Sequence, residues 1–277
     1  MRIAITGAAG QLGRALCAAL QPAHDIVPLD HAALELSDPA SASRIAATGA
    51  DVVIHSAAHT NVDGCAREPD RAYRINGLGT RYVALGCRRI GATLVYISTN
   101  EVFGGDAAQP YLEYDATAPV NPYGASKLVG EQAVRERLAA HYIVRVAWLF
   151  GGERNFVRTV LRLAGERSEL AMVADEIGSP TAAPDAAAAI ARLIDTGVYG
   201  TYHIVNAGHC SRFDLARAVL DAAGRHDVAL RPIALADYPR PSRVPLYTPL
   251  RNLAAAELGI TLRDWRAAVT EAVLALR

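Results

Sequence analysis

Residues 2–13 read RIAITGAAGQLG. Arg2 to Thr6 is a short apolar run that reads as a buried strand. Leu12, Leu16, Ala19 and Leu20 then recur at helical spacing. Between strand and helix, Gly7, Gly10 and Gly13 make a GxxGxxG turn. Glycines at that spacing allow a tight turn, close approach of backbone to a diphosphate, and close packing of helix on strand. The helix start then faces the phosphates with free N–H groups and the positive end of its dipole. The glycine spacing alone is a weak signal, equally compatible with a Gly-rich surface turn. Its position between a strand and a helix is the context that a dinucleotide site requires.

The same alternation continues outward. Asp25 to Leu29, Asp51 to His55, Thr93 to Ser98 and Tyr142 to Val146 read as further strands. The stretches 70–90 and 122–139 carry helical periodicity. In the first of these, Tyr73, Leu78, Tyr82 and Leu85 are candidates for the buried face. Strand alternating with helix predicts an α/β fold, a Rossmann-type doubly wound parallel sheet with right-handed crossovers. After residue 150, helices are expected near 155–166, 184–196 and 211–224, with short strands at 170–173 and 200–205. Pro239, Pro241, Pro245 and Pro249 mark a loop. The expected organisation is a cofactor-binding domain over 1–150 and a smaller substrate lobe over 151–277, partly interleaved with the sheet.

Composition narrows the function classes. The 277 residues are 51% hydrophobic with zero formal net charge, which argues against a broad basic surface for nucleic acid or anionic lipid. Cys17, Cys65, Cys87 and Cys210 form no CxxC pair and read as thiols of a reducing compartment. No metal-ligand spacing appears, and no apolar run reaches transmembrane length. The first strand begins at Arg2, so a cytoplasmic protein is the expectation.

Chemistry enters with Tyr123-Gly-Ala-Ser-Lys127. Tyr and Lys at i and i+4 share one helix face. An ammonium beside a phenol is expected to lower the phenol pKa. Tyr123 can then exchange a proton with a carbonyl oxygen while a nicotinamide, from NADH or NADPH, exchanges hydride. Ser98 and Thr99 end the fourth strand, where a hydroxyl can polarise that carbonyl. Asp30, just past the second strand, is placed to bond the adenosine ribose and disfavour a 2′-phosphate, or simply to cap a turn. Arg14 remains as a candidate partner for such a phosphate.

Beyond these patterns, the chain resembles the extended short-chain dehydrogenase/reductases and, within them, the dTDP-4-dehydrorhamnose reductase family. The likeness rests on GAAGQLG (7–13), SAAHTNVDGCAREPD (56–70), STNEVFGG (98–105), PYLEYD (110–115), PVNPYGASKLVGE (119–131), RVAWLFG (145–151), NFV (155–157), GSPT (178–181) and PRP (239–241). It implies that Tyr123 is the catalytic acid, Lys127 its partner, and Thr99 the residue that polarises the reacting carbonyl. It places Gly10, Gln11 and Leu12 on the cofactor diphosphate, Glu35 and Leu36 near the adenine, and Ala57, Ala58 and His59 near the cofactor's middle. Asn100 and Trp148 match positions that contact the sugar nucleotide. Asn155, within NFV, and Arg240, in the proline-rich loop, are further candidates for substrate contact. The implied reaction is reduction of a 4-keto group on a nucleotide-linked 6-deoxyhexose, in a family expected to form homodimers.

The departures from the family pattern bear on the sugar. Asn100 and Glu101 stand where STDYVF would place Asp and Tyr. The change is similar to the TDE motif of nucleotide-sugar 4,6-dehydratases, but Asn100 lacks the ionisable proton of the Asp. Glu101 is left as a sugar-hydroxyl contact or a loop cap. Asp175-Glu176 replaces a common Asp-Gln, and the residues after PRP also differ. Two other readings stand beside the first: a reductase of a different nucleotide sugar, and a non-catalytic NAD(P)-binding subunit similar to the regulatory subunit of methionine adenosyltransferase.

Overall fold

A computed structural model describes residues 1–276. Five strands fill the first half: β1 (Arg2–Thr6), β2 (Asp25–Leu29), β3 (Val52–His55), β4 (Thr93–Thr99) and β5 (His141–Val146). With the strand Gly200–His203 they form a six-stranded sheet in the order Gly200–His203, β5, β4, β3, β1, β2. Every pairing in it is parallel. β3 is buried at all its positions, and β4 at all but its first. Continuous apolar runs of this kind belong to sheets covered on both faces.

Alternation along β1 sorts the two cores. Ile3 and Ile5 face a cluster with Leu12, Leu16 and Leu20 of helix α1 (Gln11–Leu20) and with Ile190 and Leu193 of the helix Ala183–Ile194. Ala4 faces the opposite cluster, with Ile45, Val83, Ala84 and Val134. The strand order reverses direction at β1, which has β2 on one side and β3 on the other. A crevice at the carboxyl ends of those strands is the position such sheets offer a ligand. There Thr6 Oγ1 and His55 Nδ1 lie 2.7 Å apart, joining the two strand ends.

The later residues divide between this sheet and a second core. Val157, Val160, Leu170, Leu215 and Trp265 cluster together, away from β1 to β5. The strand Gly200–His203 and the helix Ala183–Ile194 return to the central sheet. The proline-rich stretch is largely irregular and runs back across the carboxyl edge, where Ile177 pairs with Tyr247.

Two expectations need correction. The helix that starts at Pro122 ends at Arg135, short of 139, because the chain turns there to enter β5. In the 70–90 stretch, Tyr73 and Leu78 are exposed and Tyr82 and Leu85 only partly buried. The buried face carries Ala72, Asn76, Gly79, Thr80, Val83 and Cys87 instead. Two physical causes combine. Residues Tyr73–Gly79 are π-helical, so the periodicity slips against the ordinary repeat. The helix also packs too closely for large side chains. A Cβ on Gly86 would lie 2.6 Å from Ile45 Cβ and 2.7 Å from the Ala42 carbonyl oxygen.

Gly86→Ala is therefore expected to destabilise the fold by about 1–3 kcal/mol through overpacking. The check is the urea unfolding midpoint at constant m-value. An unchanged midpoint would show that the interface can open at no cost.

Candidate functional site

A cavity of about 750 Å³ runs along the carboxyl edge of the sheet. That is the size range of small-molecule and cofactor sites. One end is built by the glycine turn. Gly10 precedes α1 and no side chain caps the helix there, so its first N–H groups face the cavity. Gly7 has φ +66°, a conformation that disfavours any Cβ. A Cβ on Gly13 would come within 2.1 Å of the Gly7 carbonyl oxygen, so only glycine lets the helix seat this close. The uncapped N-terminus and the glycine cradle fit a diphosphate.

The expected cofactor residues line this cavity together: Gly7, Gly10, Gln11, Leu12, Gly13, Asp30, Glu35, Leu36, Ala57, Ala58 and His59. Asp30 is also a turn residue, since its Oδ1 accepts a 2.9 Å bond from the Ala33 N–H. Glu35 accepts from the Ser37 N–H and hydroxyl, which hold its carboxyl below the usual range. Asn76 clamps the His59 backbone, accepting from its N–H at 2.8 Å and donating to its carbonyl at 3.1 Å. Arg14 points elsewhere, to the Ala9 carbonyl and to Glu153, each at 2.8 Å. Arg71 and Arg154 also line the cavity. Sequence reading missed both, because a loop or helix-start arginine carries no pattern that distinguishes it from a solvated one.

The other end is built by β4 and the helix Pro122–Arg135. Thr99 closes β4, and Tyr123 and Lys127 project from the first turns of the helix into the same cavity. Asn121 caps this helix, accepting from the Gly124 N–H at 2.9 Å. A Cβ on Gly124 would lie 2.0 Å from the Glu101 carbonyl oxygen, so the glycine after Tyr123 lets the loop beyond β4 touch the helix. Ser98 takes no part in the cavity chemistry through its hydroxyl, which donates to Glu131 at 2.6 Å.

The ionisation of the pair departs from expectation. Burial, with the Glu101 carboxylate nearby, pushes the Tyr123 phenol above its ordinary value; hydrogen bonding with Thr99 opposes this only in part. Lys127 does not lower it: the amine, which donates a 2.7 Å bond to the Ile97 carbonyl and lies 4.2 Å from the Tyr96 ring centroid, is uncharged at the high pH where the phenol titrates. Burial brings Lys127 itself down to about 7, against the opposing pull of Glu131. Tyr123 is thus a protonated phenol at neutral pH, fit to donate a proton.

The candidate substrate residues separate. Asn100, Glu101 and Trp148 line the cavity. Asn100 Nδ2 donates to Thr248 Oγ1 at 2.7 Å, tying β4 to the proline-rich loop. Trp148 sits at φ +41°, with the Arg212 guanidinium 3.5 Å over its ring and Glu176 3.0 Å from that guanidinium. Asn155 and Arg240 do not line the cavity. Asn155 caps the helix Phe156–Glu166, accepting from the Arg158 N–H at 3.1 Å and donating to the Gly152 carbonyl at 2.6 Å. Arg240 is paired with Asp63 at 3.1 Å, where the Ser242 hydroxyl also donates. Among the described residues no cluster of side chains fits a metal ion, and no helix is long and apolar enough to cross a membrane.

Fold and cavity define a Rossmann-type protein of the short-chain dehydrogenase/reductase kind. The chain belongs to the RmlD substrate binding domain family, whose model matches residues 1–277. It is 42% identical to the dTDP-4-dehydrorhamnose reductase of Mycolicibacterium smegmatis, over 99% of this chain and 86% of that one. Among solved structures, a dTDP-4-dehydrorhamnose reductase from Clostridium acetobutylicum superposes with a TM-score of 0.96 at 37% identity, covering 100% of this chain and 99% of the other. The Bacillus anthracis dTDP-4-dehydrorhamnose reductase, solved in complex with NADP, gives a TM-score of 0.95 at 38% identity, covering 99% of each chain.

The buried Lys127 predicts a pH dependence of stability. Between about 7 and the ordinary 10.5, the folded chain has released a proton that the unfolded chain keeps. Stability contributed at this position therefore rises with pH across that window. The melting temperature of the parent minus that of Lys127→Met is expected to increase as pH is raised from about 7 to about 9. A difference that stays flat would contradict the lowered value.

Proposed function

We propose that this protein is an NAD(P)H-dependent reductase of a 4-keto group on a nucleotide-linked 6-deoxyhexose, converting dTDP-4-dehydrorhamnose to dTDP-L-rhamnose. The observation that carries the reading is the arrangement of one continuous cavity. An uncapped helix start and glycine cradle lie at one end, and Thr99, Tyr123 and Lys127 meet at the other. The relatives named for this reaction match along essentially the whole chain, which supports it.

Gly10, Gln11, Leu12 and Gly13 hold the diphosphate of NADH or NADPH at the start of α1. Asp30 would bind the adenosine ribose, and Glu35 and Leu36 would lie against the adenine. Ala57, Ala58 and His59 would line the cofactor's middle, and Asn76 fixes the His59 backbone there. The bound nicotinamide supplies the hydride. Tyr123 donates the proton to the keto oxygen, and its raised pKa keeps that proton in place until charge develops. Thr99 donates to the same oxygen and polarises it. Lys127, positioned by its bond to the Ile97 carbonyl, would hold the nicotinamide ribose.

Asn100, Glu101 and Trp148 contact the sugar nucleotide. Asn155 and Arg240 act one step behind, Asn155 by capping a helix and Arg240 by anchoring the proline-rich loop to Asp63. Residues 1–150 bind the cofactor, and 151–277 supply most of the substrate lobe. The protein works in the cytoplasm, as a homodimer.

The test is oxidation of NADH and NADPH in the presence of dTDP-4-dehydrorhamnose, followed by loss of reduced-nicotinamide absorbance. Tyr123→Phe is expected to lower kcat by about 10²–10⁴-fold, the usual contribution of a positioned general acid. Full turnover by that variant would refute the assignment of Tyr123, and no turnover by the parent would refute the substrate.

A further inference from the structure

One ionisable group in the cavity has no part in the proton and hydride transfers above. Glu101 lies in the wall beside Thr99 and Tyr123. Its Oε2 accepts a 2.6 Å bond from Asn121 Nδ2, and that amide is itself fixed by a 2.9 Å bond to the Arg243 carbonyl. Among the described residues Oε1 accepts no hydrogen bond and no salt bridge reaches the carboxylate, while Arg212 and Arg240 favour its charge from farther away. The titratable and charged groups facing Glu101 are Cys65, Tyr123, Glu176, Arg212 and Arg240. Both arginines are already paired, Arg212 with Glu176 at 3.0 Å and Arg240 with Asp63 at 3.1 Å. The cysteine thiol is pushed up to about 11 by burial and by Glu101, so Cys65 is no competing base.

A half-buried carboxylate held by a single hydrogen bond is a stronger base than one free in water. Burial raises the Glu101 carboxyl above the usual range, against the opposing bond from Asn121. What a base can attack there follows from the reaction proposed above, on which this inference rests. A ketone polarised by the hydroxyls of Thr99 and Tyr123 has acidic C–H bonds on the two adjacent carbons. The same two hydroxyls stabilise the oxyanion that forms when one of those protons leaves.

We propose that Glu101 is a general base that removes and returns a proton on a carbon next to the keto group, so that the protein enolises its bound keto sugar independently of hydride transfer. The C–H bond breaks and an O–H bond forms at Glu101. The C–H electron pair becomes the C=C bond, and the carbonyl π pair moves onto oxygen between Tyr123 and Thr99. Reversal returns a proton to the same carbon, so no oxidant or reductant is consumed. Because Glu101 lines the cavity and is only partly buried, the proton it takes exchanges with water before return, and the carbon acquires hydrogen from solvent.

The experiment incubates dTDP-4-dehydrorhamnose in deuterium oxide with the full chain and NADP⁺, without reduced cofactor, and follows the sugar by proton NMR and mass spectrometry. Deuterium is expected at one carbon beside the keto group, about 10²-fold or more faster than without protein. The rate should rise with pH as Glu101 ionises, at a pH above the ordinary carboxylate range. Glu101→Gln, equal in shape, should fall to the protein-free rate, and Glu101→Asp should retain part of the exchange. Two results overturn the inference: exchange at the protein-free rate in a preparation that oxidises NADPH with this sugar, or undiminished exchange by Glu101→Gln. A preparation that neither reduces nor exchanges the sugar refutes the proposed reductase itself, and this inference with it.

Discussion

A single carboxylate without water around it holds the catalytic half of the cavity together. Glu131, fully buried on the helix Pro122–Arg135, accepts from the Ser98 hydroxyl at the end of β4 and from Arg145 on β5 through two nitrogens, at 2.6, 2.9 and 2.8 Å. Arg135 adds a fourth bond at 2.9 Å from the rim. Desolvating such a charge is costly, and only a full set of partners offsets the cost. Those partners lie on three elements, so the requirement fixes how the helix sits on the sheet. Thr99 follows Ser98, and Lys127 lies one turn before Glu131. The distances that matter between the strand-end hydroxyl and the helix are therefore set from behind the cavity, out of reach of solvent.

From that constraint the two ends of the cavity acquire opposite characters. The glycine end offers unsatisfied N–H groups and a helix dipole, which suit negative charge. The tyrosine end disfavours charge of either sign. Burial raises Tyr123 and Glu101 and lowers Lys127 to about 7, so each group tends toward its neutral form. A phenol that keeps its proton is suited to reduction, in which the keto oxygen must be protonated. The carboxyl of Glu101 is the group most easily returned to its charged form, which is why base chemistry is proposed for it.

Much of this was legible from residue order. The glycine turn can be read because the constraint acts on backbone, and Gly7 and Gly13 stand where a Cβ would collide. The strands can be read because a sheet covered on both faces leaves unbroken apolar runs. Tyr123 and Lys127 can be read because i and i+4 share a face. What escaped depends on depth and on partners distant in sequence. The inner face of residues 72–87 is made of small side chains, so the large ones misled a count of hydrophobic residues. The direction of the Tyr123 shift depends on how deeply Tyr123 and Lys127 are both buried, which is not encoded locally. Arg240 and Asn155 are polar groups within family motifs, yet Asp63 and a helix start claim them.

The central claim is that hydride moves within this cavity between a nicotinamide and the keto carbon of a nucleotide sugar. Its most direct test uses reduced cofactor deuterated at both transferable positions of the nicotinamide, with dTDP-4-dehydrorhamnose in ordinary water. The account predicts dTDP-L-rhamnose carrying deuterium at C4 and nowhere else. Product without deuterium at C4, or an unchanged keto sugar beside intact cofactor, would contradict it.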